Sequence, residues 1–205
     1  MPPAPSPAVF EFCAALKPPV RAPAARPQEA RIERAKSRPA ILEKQEPPTM
    51  IEPFQSDEDF LRDVAQHRRD GLHVWWLGQS GFLIAYDGHC ALIDPYLSDS
   101  LTEKYRLTDK PHVRMTRRVV DPLSLDFVGA VAVTHNHTDH LDAQTLKPLI
   151  DVSVDLAVIV PRANRTFAAD RLGVDPLELL VIDEGETIEA GGFSFTAIPA
   201  AHETI

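Results

Sequence analysis

The chain has 205 residues, a hydrophobic fraction of 44% and a formal net charge of -9 at neutral pH. That length suits one good-sized domain or one and a half, and the charge argues against binding nucleic acid or an anionic membrane by charge alone. Two cysteines, Cys13 and Cys90, exclude a disulfide framework and suit a reducing compartment, read as the cytoplasm.

Residues 1–50 hold 11 of the 19 prolines. Their eight basic and five acidic side chains leave a surplus of +3, so the remainder carries -12. Proline at this density stops regular helices and strands, and little here builds a core. Residues 1–50 are therefore expected to form a disordered Pro/Ala/Arg-rich extension, with at most a fluctuating helix over 29–44. No secretory signal is expected, because residues 1–7 lack a basic start and an apolar core. No apolar run is long enough to span a bilayer.

The globular part is expected to begin at Ile51. SDED at 56–59 supplies an N-cap and first-turn acids. Phe60, Leu61, Val64 and Ala65 follow at helical spacing, and the helix should stop near Asp70-Gly71. Residues 72–77 (LHVWWL), 82–86 (FLIAY) and 90–93 (CALI) read as three antiparallel strands. GQSG at 78–81 and Asp87-Gly88 are their turns. Trp75 and Trp76 read as packing residues, and Cys90 as a buried, inert thiol. Asp94 closes the third strand before Pro95 and reads either as a turn aspartate or as a carboxylate set beside a site.

Residues 96–122 show no periodicity, yet carry Lys104, Arg106, Lys110, His112, Arg114, Arg117 and Arg118. A long irregular segment is often a binding loop, and basic side chains suit an anionic substrate. His112 and Arg114 are the candidates for that contact, against a solvated loop as the plainer alternative.

Residues 127–133 form an apolar run with the composition of a buried strand, and THNHTDHLD follows at 134–142. His135, His137, Asp139 and His140 thus lie on the loop leaving a strand end. Imidazoles and carboxylates are standard ligands for divalent ions. Side chains two apart share a face of an extended segment, so His135 and His137 are expected to reach one ion. Asp139 and His140 should point elsewhere, toward a second. Residues 142–149 and 164–172 then read as helices, 156–160 and 177–182 as strands, and 186–189 with 193–198 as a hairpin that delivers His202 to another strand end.

Residues 134–140 resemble the H-x-H-x-D-H signature of the metallo-β-lactamase fold superfamily of metal-dependent hydrolases. HVWWLGQSGFLI at 73–84, ALIDPYLSD at 91–99 and PAAHE at 199–203 are similar to the branch that includes L-ascorbate-6-phosphate lactonase. The resemblance spans about residues 51–205. It implies an α/β (α+β) fold of the αββα sandwich type, of which this chain carries the N-terminal half and a linking hairpin.

The resemblance also implies a ligand set. His135, His137 and His202 would hold a first ion, and Asp139 and His140 would belong to a second, with Asp94 orienting the imidazoles. Zinc fits these donors, and manganese or iron also suit them. The chemistry implied is attack by a metal-bound hydroxide on an ester, lactone or phosphoester of an anionic small molecule, with Asp139 handling the proton. The later aspartate and histidine of the family pattern are absent, so the chain is expected to be incomplete at its C-terminus; a half-size protein that forms a homo-oligomer is the alternative. Two other functions compete: a phosphodiesterase or nuclease of the same fold, and a fragment that binds metal without turnover.

Overall fold

The computed structural model describes residues 8–15 and 50–200. Six strands form the main sheet: β2 (Leu72–Trp76), β3 (Phe82–Tyr86), β4 (His89–Ile93), β5 (Ala130–Ala132), β6 (Ala157–Pro161) and β7 (Leu180–Ile182), in that spatial order. β2, β3 and β4 are antiparallel; β5, β6 and β7 continue from β4 in parallel. The first half is a meander because its turns are short. The second half needs crossovers, which α3 (Ala143–Val152) and α4 (Arg165–Leu172) supply.

Strand alternation builds two cores. Leu83, Ala85, Cys90, Leu92, Val131, Val133, Val158 and Val160 face the helices, where Phe60 and Val64 of α1 (Asp57–His67) and Leu146 and Leu149 of α3 cover them. The intervening Ile84, Ala91, Ala130, Ala132 and Ile159 face the other way and meet Phe193, Phe195 and Ala197. Those three belong to β9 (Phe193–Ala200), which pairs antiparallel with β8 (Thr187–Ala190) in a second sheet. Helices, main sheet and second sheet thus stack as three layers, the α/β arrangement expected.

Most expected elements form, with shifted ends. The turn at Asp87-Gly88 has positive φ at both residues, as a two-residue hairpin of matching twist requires. Asp142 caps α3 by accepting from the Gln144 N–H, and Gly173 ends α4 in the left-handed conformation. Cys90 is buried as expected, and burial pushes its thiol pKa up.

Four expectations are corrected. The extension over 1–50 is not wholly irregular, because Ala8–Ala15 forms strand β1, parallel to β9 in register Ala8↔Phe193. This window between Pro7 and Pro18 has no proline, so every backbone N–H can join a ladder. The helix expected over 29–44 lies outside the described residues. The segment 96–122 contains a helix, α2 (Ser100–Tyr105). The strand expected over 127–133 is shorter, Ala130–Ala132, with Gly129 and Val133 continuing the backbone hydrogen bonds at its two ends. Trp75 packs edge-on against Phe60 and donates from Nε1 to Asp63 Oδ2 at 2.7 Å, but Trp76 is 56% exposed. It lies with Leu72 and Val74 on the face of the edge strand β2 that continues from Ile84, beyond the reach of Phe193 and Phe195. No helix among the described residues is long and apolar enough to cross a membrane.

The two sheets come into close contact where the β8–β9 hairpin meets β5. Gly191 has φ +55°, and a Cβ there would lie 2.6 Å from the Gly129 carbonyl carbon and 2.8 Å from Ala130 Cβ. Backbone meets backbone, so no side chain can yield. Gly191→Ala is expected to destabilise the protein by about 1–3 kcal/mol through overpacking and backbone strain. Urea unfolding would show this as a lower midpoint with an unchanged slope.

Candidate metal centre

β4 and β5 end level, with Ile93 opposite Ala132. The Asp94 N–H donates to the Ala132 carbonyl at 2.9 Å, and Asp94 adopts φ +44°, which turns the chain sharply after the strand. Its carboxylate crosses to the loop after β5 and is 5% exposed. Oδ1 accepts from the Thr134 N–H at 2.7 Å. Oδ2 accepts from the Thr134 hydroxyl at 2.7 Å and lies 2.8 Å from His140 Nδ1. One buried carboxylate thereby holds both ends of the histidine loop.

These bonds set two tautomers. The Thr134 hydroxyl proton goes to Asp94, so Thr134 Oγ1 is left as an acceptor. His135 Nδ1, 2.9 Å away, must donate to it. His140 Nδ1 donates to Asp94 in the same way. Both rings then carry the lone pair on Nε2, the nitrogen a divalent ion would use.

The loop winds tightly. The His140 and Leu141 N–H groups both donate to the His137 carbonyl, at 3.1 and 2.8 Å. This turn draws the two expected pairs of ligands together. It folds the His140 ring back to 4.0 Å from that of His135, closer than the 4.6 Å between His135 and His137. His140 Nε2 faces Asp139 Oδ2 at 3.7 Å. That is too long for a hydrogen bond and near the spacing of about 3.4 Å between two ligands of one tetrahedral ion. Burial lowers the His140 pKa, but the Asp94 hydrogen bond and the charges of Asp94 and Asp139 outweigh it, and the net shift is upward.

Residues distant in sequence support the loop. Ser80, in the turn after β2, donates to the Asp139 carbonyl at 2.8 Å. Arg171 on α4 donates from one nitrogen to the Asn136 and Leu141 carbonyls, at 3.0 and 3.1 Å. Asp142 accepts from the Ser98 and Thr145 hydroxyls at 2.6 Å each. Of these, only Asp142 had a local signal, its capping position before α3. Ser80 and Arg171 read as ordinary turn and helix residues.

The donor types fit a divalent ion: three imidazoles and a carboxylate on one loop, two of the rings set as Nδ1–H tautomers. Among the described residues no group of three His, Cys, Asp or Glu side chains is yet disposed to hold one ion. His202, the expected remaining ligand, lies outside them. Arg114, expected at the substrate, does not face the cleft beside the loop. It is 2% exposed, and its guanidinium donates to the Thr116 and Ser98 carbonyls at 2.6 and 2.7 Å while lying over the Tyr96 ring. A side chain committed to backbone carbonyls braces the segment instead. His112 is also absent from that cleft, and its Nδ1 is buried without a hydrogen-bond partner.

Residues 73–205 match the model of the Beta-lactamase superfamily domain. A UPF0173 metal-dependent hydrolase of Methanopyrus kandleri is 30% identical over 141 residues, covering 65% of this chain and 48% of that protein. An N-acyl-phosphatidylethanolamine-hydrolyzing phospholipase D of Caenorhabditis elegans is 28% identical, covering 66% of this chain and 39% of that protein. The chain therefore spans about half or less of the length of these relatives. Among solved structures, a diiron β-hydroxylase of Streptomyces venezuelae aligns with a TM-score of 0.42 and 21% identity, over 59% of this chain and 22% of that one.

Asp94→Asn tests the carboxylate. The amide nitrogen cannot accept, so one of the loop bonds is lost, and metal affinity should fall about 10- to 100-fold. In metal-free protein the raised His140 pKa means that protonation favours the fold. That contribution is complete below the ordinary value of 6.5 and is lost as the pH rises through the folded-state value. An NMR titration of the His140 ring should place its midpoint above 6.5 in the wild type and lower in Asp94→Asn. The thermal-stability advantage of the metal-free wild type should shrink across the same window.

Proposed function

Because the chain belongs to the β-lactamase superfamily, we propose that it acts as a metal-dependent hydrolase whose centre is the loop 134–142. The observation that carries this reading is the His140 ring, clamped at Nδ1 by buried Asp94 with Nε2 facing Asp139. A clamped ring with its other nitrogen turned to a neighbouring carboxylate is how proteins prepare a histidine ligand.

In this reading His135, His137 and His202 hold one divalent ion, and Asp139 and His140 belong to a second. The tight loop supports close spacing of the two sets. Zinc suits the donors, and manganese or iron suit them equally. A bound divalent ion would supply Lewis acidity, lowering the pKa of water and polarising the bond under attack.

The chain's own residues contribute position and proton handling. Asp94 fixes the His140 ring and, through Thr134, that of His135. Asp139, with its side chain 36% exposed, can orient water and take its proton. Ser80 and Arg171 hold the loop backbone, so the rearrangement that binding requires falls on the donor side chains.

We favour a phosphoester or carboxylic ester of an anionic small molecule. The phospholipase D relative supports a phosphodiester, and the motifs shared with the lactonase branch support a lactone. The chain's -9 net charge counts against a nucleic-acid substrate. The buried free thiol of Cys90 suits a reducing compartment, the cytoplasm in our reading.

His135→Ala and His137→Ala test this directly. Elemental analysis should find metal in the wild type and background levels in both variants, with circular dichroism unchanged. Equal metal content in variants and wild type overturns the reading.

A further inference from the structure

The geometry points to the cleft between α2 and α4 as an anion-recognition subsite beside the proposed metal loop, with Lys104 as its specificity residue. It rests on the hydrolase reading for its purpose, not for its physical argument. The cleft has a volume of about 430 Å³. Its floor includes His137 and Asp139, so anything bound there lies against the donors of the loop.

The two walls carry matching chemistry. On α2, Lys104 Nζ lies 5.1 Å from the centre of the Tyr105 ring. On α4, the Arg171 guanidinium lies 4.4 Å from the centre of the Phe167 ring. Each wall therefore offers a flat apolar surface and a positive charge. Phe167 is 43% exposed, although its helix neighbours Ala168 and Ala169 are buried.

The two cations differ in what they can still do. Arg171 is engaged with the carbonyls of Asn136 and Leu141. Lys104 is exposed and makes no ion pair among the described residues. Holding a Lys ammonium over a ring costs little, and it can swing to a ligand anion. A divalent ion at the floor would add positive charge and offset that of Asp139. The ligand that fits is an organic phosphate or carboxylate whose flat ring or sugar face lies against the aromatic walls, with its anion on Lys104. The basic segment 96–122 thus supplies the substrate contact through Lys104, and not through His112 or Arg114.

The test is titration calorimetry of the full chain with phenyl phosphate and with inorganic phosphate, with metal content measured on the same samples. The wild type should bind phenyl phosphate more tightly than inorganic phosphate. Lys104→Ala should bind phenyl phosphate about tenfold more weakly, the scale of one charge-assisted hydrogen bond, at unchanged metal content, and Lys104→Arg should recover most of the loss. Phe167→Leu should narrow the preference for the ring-bearing ligand. Equal affinity in the wild type and Lys104→Ala overturns the subsite and leaves the hydrolase reading untouched, and absence of binding to the wild type overturns it as well. If the wild type holds no metal but its binding still depends on Lys104, the subsite stands and the hydrolase reading falls.

Discussion

A single buried carboxylate, that of Asp94, couples the main sheet to the histidine loop. It lies 5% exposed at the end of β4 and binds the backbone and hydroxyl of Thr134 and the ring of His140. Hydrogen bonds to a charged acceptor are each worth about 1.5–3 kcal/mol, and leaving such a charge unpaired inside a protein costs more. The loop therefore has one strongly favoured conformation before any ligand arrives. The cost falls on the backbone, since Asp94 adopts a positive φ that only a few non-glycine residues tolerate.

The sheet makes that contact available. β4 is the last antiparallel strand and the first of the parallel set, so its C-terminal end lies beside that of β5. Level strand ends place Asp94 and Thr134 at adjacent positions although they are 40 residues apart. A one-residue slip of either strand would turn the alternating core inside out. The packing that keeps Leu92 and Val131 on the helix side also keeps the carboxylate on target.

The basic segment after β4 divides its work by burial. Arg114 is drawn inside and braces the backbone, because a guanidinium with several donors can satisfy carbonyls there. Lys104 stays on the surface of α2, where a mobile ammonium remains available. On the opposite wall Arg171 combines both tasks, holding the loop and lining the cleft. Composition reveals a positive segment, but only burial separates scaffold from recognition.

The sequence by itself determined the order and type of most elements, the alternating strands, and the cluster of His135, His137, Asp139 and His140. These are local features: apolar periodicity, turn residues and spacing within a few positions. It also marked Asp94 as a strand-end carboxylate. Only the tertiary structure decided that His140 folds back onto His135, that Asp94 and Thr134 set the tautomers, that Ser80 and Arg171 hold the loop, and that Lys104 rather than Arg114 faces the cleft. It also decided that Ala8–Ala15 pairs with β9, a contact across the length of the chain. The physical reason is the same throughout: hydrogen-bond partners and burial depend on which distant segments the sheet brings together, and no local pattern carries that information.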